Sequence, residues 1–194
     1  MQWTSDHLNR LLNFRSNLDS DDIMVKERIK RVLLDNIYIL HVLHNKELED
    51  AEAEADEYFN TCILPYYNVH PTQTDVQNYI CYEVNYDEVK RYNKSFKMLE
   101  IVFHILCHHE DLIDRETGVA RHDLLAALLQ DAFNYTNYFG STIQLISDVS
   151  GNVDNDYASR VLVFQQQTDN NLVKTRNGQP RLINKDIVTF AEES

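Results

Sequence analysis

Between Phe96 and His109, apolar and polar residues alternate in the way that is typical of a β-strand. Every second residue from Leu99 to Cys107 is apolar, whereas glutamate and histidine interrupt the intervening positions. Because successive side chains of a strand point to opposite faces, one face is predicted to be fully covered and the other only partly covered. This strand is the predicted centre of the fold.

Two further elements complete a compact unit around this strand. Leucines at helical spacing predict a helix over Val119–Thr136, and alternating apolar residues on either side of a polar, acidic tip predict a hairpin over Thr142–Gln167. The apolar faces of strand, helix and hairpin must bury one another. The predicted central core consists of Ile101, Phe103, Ile105, Leu125, Leu128, Leu129, Ile143, Leu145, Leu162 and Phe164.

The chain before this unit predicts one long helix. Asp19–Asp22 offers several N-cap residues, and one apolar stripe continues from Val25 to Leu43. The pattern stays permissive for a helix through Glu47–Glu57, which carries seven acidic side chains, and Pro65 stops it. These carboxylates form either a solvated helix face or a surface toward a partner or a DNA channel.

Other segments give weaker patterns. Trp3–Phe14 predicts a short amphipathic helix, and Val76–Val84 predicts a strand with apolar residues on both faces. Residues 85–95 are polar and suit either a long hairpin tip or a short helix. Residues 168–194, with an Asn177–Gly178 turn, suit a small hairpin or an extended arm that orders only against another subunit.

These elements predict the α+β fold class. We expect a mostly antiparallel sheet of about four main strands, packed by two principal helices, with a long N-terminal helix and a C-terminal arm. The chain of 194 residues has no Pro/Gly/Ser-rich linker, which argues for one core domain over 21–167. Residues 1–20 form an N-terminal segment and residues 168–194 the arm.

The charge of the chain opposes broad contact with phosphates. Lysine and arginine number 18 and aspartate and glutamate 31, for a net charge of -13. A protein that encircles and binds nucleic acid is therefore not expected. A negatively charged channel surface would nevertheless let DNA pass without binding it.

The cysteines and the absence of long apolar runs indicate a reducing compartment. Cys62, Cys81 and Cys107 lie in apolar surroundings without CxxC spacing, so we interpret them as reduced core thiols. No run of about eighteen apolar residues exists, and the first residues lack the pattern of a signal peptide. We expect a protein of the cytoplasm without membrane contact.

Several histidines could in principle bind a metal ion or act in catalysis. His104 and His108, followed by His109 and Glu110, have the spacing that binds zinc on a helix, but on a strand residues four apart lie about 13 Å from each other. His122-Asp123 could orient an imidazole, yet no nucleophile motif such as GxSxG accompanies it. We predict a solvated helix entrance there and no metal site.

A magnesium-dependent nuclease is the alternative of another class. Glu88-Val89-Lys90 has the E-x-K spacing that places a carboxylate and an ammonium near a scissile phosphate, with Asp75 upstream. The polar surroundings and the acidic chain argue against this interpretation. Neither GxGxxG nor GxxxxGK[ST] is present among four glycines, so no nucleotide or other cofactor is expected.

The order of elements resembles that of the tail terminator, or tail-completion, proteins of the neck of tailed bacteriophages. The resemblance covers roughly Asp21 to Asn170 and is carried by the phrases NYICYEV, FKMLEIVFHILCHHEDLID, GVARHDLLAALLQDAF and YASRVLVFQQQTDNN. It implies a structural virion protein without catalysis, assembled in the host cytoplasm. In that family a ring of identical subunits, a hexamer, caps the tail tube protein and receives the head connector. A head-closure (stopper) or connector-adaptor protein is the alternative within the neck.

The partner contacts are predicted on exposed tyrosines, on the hairpin tip and on the arm. Tyrosine adds large contact area at low entropy cost, and an arm can reach a neighbour across a ring boundary. The alternative is an ordinary loop and helix end. The predicted contact residues are Tyr135, Tyr138, Asn152, Asp154, Leu172, Val173, Ile187 and Phe190.

Overall fold

The computed structural model describes residues 4–6, 21–67, 76–88, 96–153, 156–169, 172–174 and 180–182. The helices are α1 (Asp21–Leu34), α2 (Ile37–Leu43), α3 (Lys46–Asp50) and α4 (Arg121–Phe133), with 3-10 turns at Ala55–Tyr58 and His109–Asp111. The strands are β1 (Ile63–Leu64), β2 (Tyr79–Glu88), β3 (Phe96–His108), β4 (Gln144–Asn152), β5 (Tyr157–Asp169), β6 (Leu172–Lys174) and β7 (Pro180–Leu182). Within the described ranges, no helix combines the length and the apolar character needed to cross a membrane.

The main sheet has five strands in the order β1-β2-β3-β5-β4. β3 pairs antiparallel with β2 on one side and with β5 on the other, and β4 closes the hairpin with β5. β1 is only two residues long and pairs parallel with β2. The prediction of an α+β fold with a mostly antiparallel sheet is confirmed.

The core lies between one face of this sheet and the helices. Ile101, Phe103 and Ile105 on β3 are completely buried, whereas Val102 and His104 on the opposite face are only partly covered. The ring of Phe103 lies 5.0 Å from that of Phe133 on α4. The two faces therefore differ as the alternation predicts, because the helices cover only one of them.

The predicted core is confirmed in detail. Eight of its ten residues are fully buried, and Leu128 and Leu145 are half-buried against the same cluster. α4 begins two residues later and ends three residues earlier than predicted. All three cysteine thiols are buried and form no disulfide.

The predicted long helix is wrong, since the chain forms three shorter helices there. The side chain of Asn36 accepts hydrogen bonds from the backbone N–H groups of Tyr38 and Ile39, and thereby starts α2. Asn45 starts α3 in the same way, and His44 before it has a positive φ of 49°. Asparagine side chains compete for backbone donors, so they interrupt a helix although the apolar stripe continues through it.

Two weaker predictions are partly resolved. β2 continues to Glu88, which is paired with Lys97 of β3, so the described part of 85–95 belongs to a hairpin and not to a helix. β6 and β7 pair with each other as a small hairpin, one of the two alternatives predicted for residues 168–194, although the Asn177–Gly178 turn lies outside the described residues. The helix predicted over Trp3–Phe14 also falls outside them, apart from residues 4–6.

Candidate functional site

A buried polar cluster joins the helices to one end of the sheet. Arg121, in the first turn of α4, is only 3% exposed. Its Nε donates to the Asp111 carbonyl oxygen at 3.1 Å, and its Nη1 lies 3.0 Å from Asp114 Oδ1. Nη1 also donates to the carbonyl oxygen of Val42 on α2 at 3.4 Å. We call Arg121, Asp111, Asp114, Asn78 and His44 the buried polar cluster.

The remaining members of this cluster surround Asp111. Asn78 Nδ2 donates to Asp111 Oδ2 and to the Leu43 carbonyl oxygen, both at 3.0 Å. His44 Nδ1 lies 2.8 Å from the same carboxylate oxygen. The cluster thus links the end of α2, the start of β2 and the β3–α4 connection by hydrogen bonds and ion pairs. These contacts stabilise the fold.

The surroundings of Asp114 and of two buried thiols shift the pKa values of these groups. The hydroxyl and backbone N–H of Thr117 donate to Asp114 and, with Arg121, lower the pKa of that carboxyl. Burial raises the pKa of the Cys107 thiol far above its usual range and that of Cys62 to about 12. These thiols remain protonated and are poor nucleophiles.

The predicted histidine group does not converge on one point. His104 Nε2 lies 3.6 Å from Glu83 Oε2 on the face of the sheet away from the helices, and its ring centroid is 4.6 Å from that of Tyr67. Burial lowers the pKa of His104, while Glu83 opposes the shift. His108 instead accepts a hydrogen bond from the Glu110 N–H at 3.2 Å. Among the described residues, no three His, Cys, Asp or Glu side chains are grouped to hold a metal ion.

Asp123 pairs with an arginine of the hairpin as well as with His122. His122 Nε2 lies 3.5 Å from Asp123, and the Arg160 guanidinium also donates to this carboxylate. Arg160 holds Asp148 on β4 with two bonds of 2.7 Å, and this pairing lowers the pKa of Asp148. These ion pairs link α4 to the β4–β5 hairpin. Sequence reasoning predicted a solvated helix entrance here and missed the partner on β5.

The components of the predicted nuclease site are only partly described. Glu88 ends β2, whereas Asp75, Val89 and Lys90 lie outside the described residues. The nuclease alternative therefore stays a prediction.

A loop between α4 and β4, residues 134–143, carries two exposed aromatic side chains, and we call it the tyrosine loop. Tyr135 is 73% and Tyr138 41% exposed. Tyr135 has a φ of 60°, which is uncommon for a residue with a side chain. Its N–H donates to the Ile143 carbonyl oxygen at 2.9 Å, and Arg28 of α1 donates to the carbonyl oxygen of Tyr138. The loop is therefore fixed while its tyrosines face outward.

The tyrosine loop sits where β5 ends. Gln166 Nε2 donates to the Phe139 carbonyl oxygen at 2.8 Å, and Ser141 Oγ donates to that of Gln167 at 2.5 Å. Asn152 is also exposed, but it lies at the opposite end of the β4–β5 hairpin, paired with Ala158. The two predicted contact regions are thus not brought together.

The other predicted contact residues are less fully described. Leu172 and Val173 lie on β6, where only the backbone is described, and Asp154, Ile187 and Phe190 lie outside the described residues. Their role stays a prediction.

Strand β4 is a further surface, which sequence reasoning did not single out. It is the last strand of the sheet, and Ile146 and Val149 are 53% and 59% exposed. Only the order of the strands shows that, within the described residues, no strand pairs with its outer side.

Comparison with known proteins gives one family. The model of the YomW family, a phage-associated family of SPbeta-type gene products, matches residues 5–166. No protein of curated function matches the chain. The matched region includes all of β1 to β4 and most of β5, and it ends before the hairpin β6–β7. Because this match spans most of its length, the chain belongs to the YomW family and is a phage-related protein.

Proposed function

We propose that this chain is a structural protein of the phage neck, a tail terminator whose identical subunits form a ring on the tail tube. The observation that carries this proposal is the tyrosine loop, which presents two exposed aromatic side chains on a fixed backbone. Membership of a phage-associated family supports a role in a virion.

The tyrosine loop has the properties of a protein-binding surface. Tyrosine is enriched at such surfaces because its large ring has few rotatable bonds. The bonds from Tyr135 to Ile143 and from Gln166 to Phe139 hold the loop before any partner arrives. A surface that is already ordered loses less entropy on binding.

The charge distribution supports a ring through which DNA passes without specific binding. The chain carries a net charge of -13, and all seven carboxylates of Glu47–Glu57 belong to exposed residues. Like charges repel the phosphate backbone, and this repulsion weakens with salt. The partners we propose are further copies of the chain, the tail tube protein and the head connector or stopper.

The proposal includes no catalytic role and no cofactor. The protonated thiols and the separated histidines support this part, as does the use of Arg121 and its acidic partners in holding the fold. A head-closure or adaptor protein of the same neck is the alternative, and it differs in the partner that the ring binds.

Native mass spectrometry of the full chain, alone and with tail tube protein, tests the proposal. We expect a closed ring, a hexamer, that binds the tube protein. Binding to the head connector without the tube protein would favour the stopper or adaptor. A chain that stays monomeric with the tube protein and with the connector present would contradict the neck role.

A matched pair of variants tests the tyrosine loop itself. Tyr135→Ala combined with Tyr138→Ala should weaken assembly or partner binding while the thermal unfolding temperature stays close to that of the wild type. Tyr38→Ala is the control, because Tyr38 is 69% exposed and lies on α2, whose last residues bond Asn78 and Arg121 and not the tyrosine loop. Equal assembly of all three proteins would remove the loop from the interface.

A further inference from the structure

The outer edge of β4 has the properties of a site for an added strand. Within the described residues no strand pairs with this edge, and at the other side of the sheet β1 covers β2 over only two residues. Natural edge strands are usually protected by lysine, proline, β-bulges or inward charges, and in β4 the one register shift lies near its start, before Ser147. The sequence of β4, QLISDVSGN, has neither lysine nor proline, and Arg160 and Gln130 bind its single charge, Asp148.

The shape of this edge leaves a regular stretch available. A register shift lies between Leu145 and Ser147, and the pairing with β5 is continuous from Ser147 to Asn152. The exposed Val149 lies in this stretch, and the exposed Ile146 lies at the register shift. An incoming strand would bond the free backbone groups and cover both side chains.

The C-terminal segment has a charge opposite to that of the rest of the chain. Residues 170–190 contain four basic residues and one acidic residue, a net charge of +3, so the remaining residues carry -16. The described parts of this segment, β6 and β7, have an extended backbone and pair with each other. The segment is thus suited to adding a strand to an acidic domain.

The position of the tyrosine loop favours pairing of the C-terminal segment with β4 of another copy over pairing with β4 of its own chain. Gln144, the first residue of β4, is paired with Gln165, and β5 continues four residues beyond this pair to Asp169, so the segment leaves the domain at that end of the hairpin. Residues Phe139 and Ser141 of the tyrosine loop are bonded across this same end. β6 begins after only two intervening residues, which leaves little chain for a path around the loop.

We propose that residues 170–190 of one copy pair as an added strand with the outer edge of β4 on a second copy. The backbone bonds of Ser147–Asn152 supply the attraction, and Ile146 and Val149 supply the apolar contacts. This inference rests on the proposed function only in requiring a second copy of the chain.

Disulfide trapping between differently tagged chains tests this pairing. One chain carries Val149→Cys, and the other carries a cysteine at Val173, Leu182 or Ile187 in turn, since the register of the added strand is open. The native thiols are buried, so mild oxidation reports on the introduced cysteines. We expect a cross-link between the two tags for at least one position, several-fold above that of a control chain with Ala51→Cys, an exposed position after α3.

The outcomes separate this inference from the proposed function. A ring in native mass spectrometry without a cross-link to β4 would overturn the pairing while the neck role stands. A monomer at all concentrations would overturn both. Equal cross-linking at Ala51 and Val149 would mean random collision and would overturn the pairing. A third chain carries both Val149→Cys and the segment cysteine; a disulfide that forms only within this chain, and not between the two tagged chains, would place the segment on its own domain and would also overturn the pairing.

A charge placed on the edge gives a second test. Ile146→Lys combined with Val149→Lys should weaken self-association about tenfold or more, because lysine on an edge opposes strand addition. Val119→Lys is the control, since Val119 is 42% exposed and lies outside the hairpin. Unchanged self-association of the edge variant would contradict the proposal, provided that circular dichroism shows a folded sheet in both variants.

Discussion

Replacement of Arg121 by methionine should lower the free energy of unfolding by about 3 kcal/mol. Methionine retains much of the side-chain volume but removes the charge that lies 3.0 Å from Asp114 and 3.4 Å from Asp111 Oδ2. Loss of one partner of a buried ion pair costs about 3 to 5 kcal/mol. The lower value applies here because Asp111 keeps its bonds to His44 and Asn78, and Asp114 keeps those to Thr117.

Urea unfolding followed by circular dichroism at neutral pH measures this difference. A small domain has a stability of about 5 to 15 kcal/mol, so a change of this size should be plain. Arg115→Met is the matched control, because Arg115 is an exposed residue of the same connection, and its change should stay within about 0.5 kcal/mol.

A double-mutant cycle identifies the partner. Asp114→Asn should make the Arg121→Met substitution less costly, with an interaction energy of about 1 to 3 kcal/mol between the two positions. An Arg121→Met variant as stable as the wild type would refute the reasoning, since the buried charges would then not depend on the arginine. If the effects of the two substitutions are additive, the contribution of Arg121 to the free energy of unfolding comes from its other contacts and not from Asp114.

The remaining predictions concern the core, the response to pH, catalysis and the arm. Leu129→Ala should cost about 2 to 5 kcal/mol in urea unfolding and clearly more than Leu128→Ala, because only Leu129 is fully buried; equal losses would mean that the helix face is assigned wrongly. The pKa of Asp114 is lowered in the folded state, so its contribution to stability is present above the ordinary aspartate pKa and is lost as the pH falls through and below that value. Asp114→Asn should therefore reduce the loss of unfolding free energy at acid pH. An unchanged loss at acid pH would show that this carboxylate does not cause it. Linear and branched DNA with magnesium or manganese should remain uncut, whereas cleavage that Glu88→Gln abolishes would establish the nuclease instead. Deletion of residues 170–194, which begins after the last residue of β5, should leave a domain that unfolds cooperatively but no longer assembles, and a truncated chain that aggregates would show that these residues belong to the core fold.

The central unit of the fold could be predicted from the sequence because each element has its own period and one buried face. The alternation around Phe103 and the helical spacing of Leu125 and Leu129 each select one set of residues for burial, and the structure buries those sets. The exposure of Tyr135 and Tyr138 follows from the polar composition of the loop around them. Local patterns therefore determined which residues form the core and which tyrosines face outward.

Only the tertiary structure decided where the helices break and which surfaces stay open. Asn36 and Asn45 cap new helices by local hydrogen bonds, but an asparagine within a continuous apolar stripe does not by itself show that the chain forms the cap and ends the preceding helix there. Strand β1 has only two residues, which is too short to show an alternating pattern. Arg121 looks in the sequence like an exposed residue at a helix start, and only the folded chain places Asp111 and Asp114 next to it. That no strand in the described part of the chain pairs with the outer edge of β4 likewise depends on strand order. The pairing of β1, the surroundings of Arg121 and the position of β4 arise from contacts between residues distant in the chain, and a local pattern carries no information about such contacts.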